Sequence, residues 1–245
     1  MGERERLEAI QRAVDGHTTG VLEARRPQAS WDCLELGAGA GSIAYWLAGR
    51  CPDGRTVAVD RNTAHLDPAR AANLAVVQAD ITADDFEPGR FDLVHARYVF
   101  CHLANRRELV TRALTWLKPG GWLVVEDPYH LPAETSPFPV VRRIMAAYQQ
   151  HYRDLGSDIT WARGLPAVFA RAGLADVDYA GLLGRMGGPG DRWAELIRRA
   201  APDLVAAGTV TADDLAEFEA LRTDPAFLDI PQITVCAWGR SQPGG

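Results

Sequence analysis

Lysine is almost absent from this sequence, because Lys118 is the only lysine among the 26 basic residues of a 245-residue chain. Acidic residues outnumber basic ones, and the formal net charge is −6. Binding of a nucleic acid requires a concentrated positive field that neutralises phosphates. We therefore expect no nucleic-acid partner.

Cysteine is scarce as well, and no Cys-x-x-Cys spacing, which is typical of zinc sites and redox pairs, occurs among Cys33, Cys51, Cys101 and Cys236. The sequence also lacks an apolar run near the roughly 20 residues of a membrane span. Its charged first residues do not resemble a signal peptide. We expect no structural zinc site, no membrane partner and a cytoplasmic location.

Strand and helix patterns alternate through the first half of the chain. Short apolar runs are each followed by a segment in which apolar residues recur at helical spacing, and this alternation is typical of a parallel sheet with helices on both faces. Ligands of such sheets bind at the carboxyl ends of the strands. The expected strands are 31–36, 56–59, 74–77, 91–96 and 122–125, and the expected helices are 4–25, 42–50, 62–72 and 105–117.

The second half of the chain departs from this alternation, because helical patterns dominate it. Thr211 followed by Asp214 resembles a capping box at the start of the last expected helix. The expected helices are 137–155, 163–172, 190–201 and 211–222, and the expected strands are about 175–183 and 233–238.

Three glycines alternate with alanines directly after the first expected strand, in the segment ELGAGAG at 35–41. Glycines at this place let the backbone approach a ligand closely, and the start of the next helix offers free N–H groups. One interpretation is a dinucleotide site, because Gly39-x-Gly41-x-x-Ala44 satisfies the G-x-G-x-x-G/A fingerprint and Asp60 follows about 20 residues later.

An acid at the end of the first expected strand, Glu35, favours a different ligand. Its negative charge repels a pyrophosphate and attracts a cation. S-adenosylmethionine carries an ammonium, a carboxylate and a sulfonium, so glycine amides together with one acid suit it better than they suit a dinucleotide.

Several motifs together resemble the class I S-adenosylmethionine-dependent methyltransferase family, of the small-molecule type found in bacterial secondary metabolism and antibiotic biosynthesis. The resemblance implies a Rossmann-like α/β fold with a mostly parallel seven-stranded sheet, helices on both faces and a helical lid. It implies one domain over 1–245, with a cofactor-binding core at about 31–127 and an acceptor pocket and lid at about 128–230. The motifs are LELGAGAGSIA at 34–44, VAVD at 57–60, QADI at 78–81, FDLVHARYVFCHL at 91–103 and LKPGGWLVVED at 117–127.

The resemblance assigns the cofactor-binding roles residue by residue. The methionine part of S-adenosylmethionine is expected at the backbone of Gly37, Ala38 and Gly39, with Glu35 near its ammonium. Asp60 is expected to accept hydrogen bonds from both ribose hydroxyls, since a carboxylate has the lone pairs to do so.

The remaining cofactor contacts are expected after the second, third and fourth strands. Asp80 is expected to accept from the adenine amino group, and the N–H of Ile81 to donate to the ring. Arg61 is expected along the adenosine, while Arg97 and Tyr98 are expected to face the cofactor.

Two histidines after strand ends, His102 and His130, are the candidate general bases, since histidine titrates near neutral pH. The expected rate then rises with pH through roughly 6–7, the range of an unperturbed histidine. Alternatively, alignment alone suffices, because a sulfonium is an activated leaving group. The spacing Glu126-Asp127-x-x-His130 lacks a second cluster of ligands, so we expect no metal.

The sequence thus predicts transfer of a methyl group from S-adenosylmethionine to O, N or C of a small organic acceptor, with S-adenosylhomocysteine as the product. We expect a largely apolar or aromatic acceptor and a monomer or homodimer. Two alternatives stay open. One is an S-adenosylmethionine-binding cyclase or pericyclase with the same fold, and the other is an NAD-dependent oxidoreductase.

Overall fold

A seven-stranded sheet forms the centre of the computed structural model, which describes residues 3–83, 85–189 and 191–242. The strands are β1 (Cys33–Leu36), β2 (Thr56–Asp60), β3 (Leu74–Gln78), β4 (Phe91–Arg97), β5 (Leu117–His130), β6 (Ala175–Leu183) and β7 (Gln232–Arg240). Their order is β3-β2-β1-β4-β5-β7-β6. β7 pairs antiparallel with β5 and β6, and the other pairings among the described residues are parallel. The expected mostly parallel α/β sheet is confirmed.

Helices cover both faces of this sheet. They are α1 (Glu3–Glu23), α2 (Ser42–Arg50), α3 (Arg106–Thr115), α4 (Pro139–Asp154), α5 (Leu165–Arg171), α6 (Trp193–Ala206) and α7 (Ala212–Leu221). Successive side chains of a strand point to opposite faces. Leu93 accordingly packs in a hydrophobic cluster with buried side chains of α1 and α2, whereas its neighbour Val94 packs in one with α3 and α5.

The segment 62–72, expected to be a helix, forms two short 3-10 turns instead, at Thr63–His65 and Pro68–Arg70. Proline lacks a backbone N–H and disfavours helical backbone in the residue before it, so a continuous helix through Pro68 is disfavoured. The side chains of Asn62 and Asp67 each accept a hydrogen bond from the backbone of the turn that follows. The expectation was wrong because local capping and proline outweighed the apolar spacing.

β5 is much longer than the expected 122–125, because β7 pairs with it from Trp122 to His130. This extension carries the residues that follow the expected strand into the sheet. His130 therefore lies opposite Gln232 in a ladder rather than in a loop.

A second hydrophobic cluster lies in the C-terminal half, where buried side chains of α4, α6 and α7 pack together. α7 begins with the expected capping box, since the Thr211 side chain and the Asp214 side chain each bond the other's backbone N–H. Among the described residues, no helix is long and apolar enough to cross a membrane.

Candidate active site

The turn between β1 and α2 brings the backbone close to a neighbouring loop. Gly37, Gly39 and Gly41 have φ angles of 65°, 57° and 87°, which side chains other than glycine rarely adopt. A Cβ on Gly37 would overlap Cγ2 of Val99, which follows β4. Only glycine fits this position, and the turn itself is fixed because the N–H groups of Ala38 and Gly41 donate to the carbonyl oxygens of Val59 and Ala38.

Asp60, at the end of β2, fixes this turn. One carboxylate oxygen accepts a hydrogen bond from the N–H of Gly39 at 2.8 Å, and the other accepts from the N–H of Asn62 at 2.9 Å. Each carboxylate oxygen has a second lone pair. Asp60 can therefore hold the turn and still accept from two hydroxyl groups of a ligand.

A cavity of about 410 Å³ opens at the carboxyl ends of β1, β2 and β4. Its volume is in the range of small-molecule sites. The structure brings together at its wall all the site residues expected from the sequence except Asp80 and Ile81, namely Glu35, Gly37, Ala38, Gly39, Asp60, Arg61, Arg97, Tyr98, His102 and His130.

Asp80 and Ile81 lie apart from this wall. Asp80 accepts two hydrogen bonds from Thr82, and the Nε of Arg61 lies 3.8 Å from its other oxygen. Ile81 is buried in the hydrophobic core. Their expected contacts with an adenine ring stay a prediction.

A buried histidine links two glutamates beneath the cavity. Nδ1 of His95 lies 2.6 Å from Glu35, and its Nε2 lies 3.4 Å from Glu126. Burial opposes protonation of His95, but the two carboxylates outweigh it and raise its pKa to about 9. The imidazolium binds one oxygen of Glu35 and one of Glu126, and this fixes Glu35 at the cavity wall.

This buried network continues to α1. The other oxygen of Glu126 accepts from the hydroxyl of Thr18 at 3.0 Å, and Arg97 donates to the same hydroxyl at 2.8 Å. The guanidinium of Arg97 also pairs with Asp15 at 2.8 Å. Both Thr18 and Asp15 belong to α1, so the network fixes that helix against the end of the sheet.

Tyr98 adopts a strained backbone at the cavity wall, with a φ of 57°. Its hydroxyl exchanges a hydrogen bond with Thr234 and accepts others from Arg192 at 3.3 Å and Gln232 at 3.5 Å. These hydrogen bonds hold the phenol ring in one place at the cavity wall.

The two candidate bases differ in their surroundings. His102 is exposed at the cavity wall, and its Nδ1 bonds the hydroxyl of Ser157 at 2.8 Å. His130 is buried and stacks on Tyr148 with ring centroids 6.1 Å apart. Burial, and then the charge of Arg192, lowers the pKa of His130 to about 3. Although part of its side chain is exposed, desolvation by the surrounding protein, and then the charges of Arg6 and Arg106, lowers the pKa of His102.

These shifts correct the expected pH range. An unperturbed histidine titrates near pH 6–7, but both pKa values lie below the ordinary value because a low-dielectric surrounding disfavours the charged form. His130 is neutral at physiological pH and is a weak base.

A family model described as a methyltransferase domain matches residues 6–179. The chain belongs to the methyltransferase domain family. This membership disfavours the oxidoreductase interpretation of the glycine turn.

Two relatives and one solved structure are similar to this chain. Methyltransferase str3 of Strobilurus tenacellus is 36% identical over 132 residues, which cover 51% of this chain and 45% of that protein. Trans-aconitate 2-methyltransferase of Rhodococcus jostii (strain RHA1) is 30% identical over 175 residues, which cover 70% of this chain and 62% of that protein. The chain thus spans about half the length of the curated relatives it matches.

The crystal structure of the [4+2]-cyclase SpnF superposes with a TM-score of 0.60 and 18% identity, covering 96% of this chain and 83% of that chain. At this identity the likeness shows the fold alone.

Sequence reasoning missed one wall of the site in this family member. α1 lines the cavity with Glu3, Arg6, Leu7, Ile10 and Gln11, and none of these residues was expected at the site from the sequence. The sequence did carry a signal for the buried His95–Glu126 network, in β4 and β5. His95 and Glu126 interrupt apolar strand sequence, and buried charges need partners.

A metal site is not formed at Glu126, Asp127 and His130. Asp127 accepts from the indole of Trp161 at 2.7 Å and from the N–H of Cys101 at 3.0 Å. Glu126 is already paired with His95, whose Nε2 lies 3.4 Å from its carboxylate. In the part of the chain that the structure describes, no group of three or more His, Cys, Asp or Glu side chains is placed to hold a metal ion.

The His95 network should make stability depend on pH. The folded pKa is about 9 and the ordinary value is 6.5, so protonated His95 stabilises the fold fully below pH 6.5. That contribution is lost as pH rises through 9, on the order of 3 kcal/mol. Urea unfolding at pH 6.5 and pH 9 should show a loss for the parent that His95→Gln lacks.

A matched control for this measurement is His151→Gln on α4, which should keep the loss seen in the parent. If the parent and His95→Gln lose the same stability between pH 6.5 and pH 9, the charged state of His95 does not support the fold.

Proposed function

We propose that this protein is an S-adenosylmethionine-dependent methyltransferase acting on a small organic acceptor. One observation carries the proposal. Glu35 and Asp60 end two neighbouring parallel strands, on either side of a glycine turn, and all three face one cavity. A ligand with an ammonium group and a ribose diol matches these acids in charge and in hydrogen bonding.

The residues present fit this ligand. The absence of a side chain at Gly37 lets the turn pack against Val99, and the backbone of Gly37, Ala38 and Gly39 lines the cavity. Asp60 retains lone pairs for two hydroxyls, and Glu35 is bonded to His95 through one oxygen only. Arg97 supports the site indirectly, because its guanidinium is taken up by Asp15 and Thr18 of α1.

When bound, S-adenosylmethionine supplies an electrophilic methyl group on a positively charged sulfur, which leaves as the neutral thioether of S-adenosylhomocysteine. The chain contributes alignment of the acceptor and exclusion of water. The aromatic side chains of Tyr98, Tyr148, Tyr152 and Trp193 also line the cavity. We call the part that they line the acceptor half. These side chains support a flat, largely apolar acceptor. We place the acceptor pocket and its cover in about 128–230 together with the start of α1.

Of the two candidate bases, we propose His102 for a hydroxyl acceptor, since His130 is buried and its pKa is about 3. The lowered pKa of His102 means that it loses its proton below pH 6.5. The rate should therefore rise through a value below 6.5 and stay level above it.

His102→Ala and His102→Gln test this role, with labelled product from a cell extract as the readout. Both variants should reduce transfer by roughly 100-fold, within the usual range for a general base. His151→Gln, on α4, should transfer at the parental rate. Full activity of both His102 variants from pH 5 to pH 9 would mean that alignment alone supports transfer.

The proposed activity is tested by calorimetry followed by labelling. The protein should bind S-adenosylmethionine and S-adenosylhomocysteine and should not bind NAD. With radiolabelled S-adenosylmethionine and a cell extract, label should enter organic-soluble material. Binding of NAD alone, or label confined to RNA or DNA, would reject the proposal. An acceptor that is isomerised without taking up label would support the cyclase alternative.

A role in secondary metabolism, a cytoplasmic location and a monomeric or homodimeric state extend this proposal. The relative str3 is named only as a methyltransferase, and the Rhodococcus relative is named for trans-aconitate. The second name supports small organic acids among the acceptors to be tried.

A further inference from the structure

One arginine that lines the cavity, Arg192, has no carboxylate partner among the described residues. Beyond residue 127, the described residues that line the cavity include no lysine, aspartate or glutamate, and Arg192 is the only arginine among them. The other residues that line the cavity beyond 127 have aromatic, apolar or uncharged polar side chains. His130 is among the uncharged ones because its pKa is lowered to about 3. A single cation in such a surrounding selects for an anion.

The other arginines at the cavity wall each lie within 4 Å of a carboxylate. Arg6 pairs with Glu3, Arg97 pairs with Asp15, and Arg61 lies 3.8 Å from Asp80. Among the described residues, no carboxylate lies within ion-pairing distance of Arg192. These contacts distinguish Arg192 from the surrounding cations.

The acid next to Arg192 in sequence is already occupied. Asp191 accepts a hydrogen bond from the N–H of Trp193 at 2.7 Å and lies 3.4 Å from Arg222. Arg192 instead donates to the hydroxyl of Tyr98 at 3.3 Å and lies over that ring, 5.4 Å from its centroid. These contacts orient the guanidinium without neutralising it, so its remaining N–H groups are available to a ligand.

Tyr98 itself is held rigidly. Its strained backbone, with a φ of 57°, and the bonds of its hydroxyl to Thr234 and Gln232 fix the ring that supports Arg192. His130 stays neutral nearby, and its Nδ1 is buried without a hydrogen-bond partner in the described structure. The site is therefore preorganised around one positive charge with flat aromatic walls.

We propose that Arg192 binds a carboxylate of the acceptor, so that the acceptor class is a flat aromatic or conjugated carboxylic acid. A guanidinium matches a carboxylate with two parallel N–H···O bonds. This inference rests on the proposed function only in treating this half of the cavity as the acceptor site. It concerns binding of the acid and leaves open which acceptor atom is methylated.

Calorimetric titrations with benzoate, trans-cinnamate and trans-aconitate, each against its primary amide, test the proposal in the presence and absence of S-adenosylhomocysteine. At least one acid should bind ten-fold or more tightly than its amide. Arg192→Gln should abolish that preference, and Arg192→Lys should keep part of it. Arg198→Gln, an exposed site on α6 whose arginine pairs with Glu195, should preserve it.

Three results would overturn the proposal: equal binding of acids and amides, a preference that survives in Arg192→Gln, or no binding of any acid at 10 mM to the parent. Binding of S-adenosylhomocysteine is measured separately and should be the same in the parent and in Arg192→Gln. If the parent prefers acids but binds no S-adenosylhomocysteine, the proposed function fails and the carboxylate site stands.

Discussion

Asp60→Ala should bind S-adenosylhomocysteine roughly 100-fold more weakly than the parent, because two charge-assisted hydrogen bonds of about 1.5–3 kcal/mol each are lost before compensation by solvent. The same change removes the acceptor of the Gly39 N–H, so the turn also loses its anchor to β2. Calorimetric titration at fixed pH measures both effects as one change in Kd.

Two further variants separate the causes of this loss. Asp60→Asn keeps one acceptor oxygen but no charge, so its loss should be intermediate, about ten-fold. Asp53→Ala changes an exposed acid in the turn between α2 and β2 and should leave the Kd unchanged. Parental affinity in Asp60→Ala would remove Asp60 from the cofactor site.

Gly37→Ala should be the most destabilising single substitution in the turn. The positive φ costs a non-glycine residue about 1–2 kcal/mol, and the overlap of the new methyl group with Val99 adds about 1–3 kcal/mol. We expect the free energy of unfolding to fall by about 2–5 kcal/mol, together with loss of measurable binding of S-adenosylhomocysteine. Urea denaturation and calorimetry measure the two effects.

Gly39→Ala is the matched control for this prediction. Its φ is also positive, at 57°, but its added Cβ would meet only the end of the flexible Leu7 side chain at 3.3 Å. Its stability should fall by the backbone strain alone, about 1–2 kcal/mol. The double variant Gly37→Ala with Val99→Ala should recover the steric part. Equal losses in the two glycine variants, without recovery in the double variant, would contradict the overlap.

The sheet, and the grouping of the glycine turn with the acids at the strand ends, were predictable because their signals are local. A short apolar run followed by glycines and then a helical pattern specifies β1, the turn and α2 within about 20 residues. Glu35 and Asp60 could be placed together since parallel strands bring their carboxyl ends to one edge. The helix predicted for 62–72 was wrong, because capping by Asn62 and Asp67 and the backbone of Pro68 outweighed the apolar spacing of this segment.

The acceptor half was less predictable, because its walls come from distant parts of the chain. α1, the segment after β4, α4 and the start of α6 meet only after folding. No local pattern indicated that Arg192 lies over Tyr98, 94 residues earlier in the chain. Sequence reasoning therefore named His102 and His130 by their position after strands and passed over Arg192.

By itself, the sequence determined the order of the strands and of the helices outside 62–72, the glycine turn and the acids at the strand ends, because backbone preferences and short apolar runs are properties of neighbouring residues. Only the tertiary structure decided the protonation of His95 and His130. Burial lowers the pKa of His130, helped by the charge of Arg192, whereas the two carboxylates beside His95 outweigh its burial and raise its pKa. Charge and burial act through space, so identical side chains acquire opposite behaviour from what packs around them.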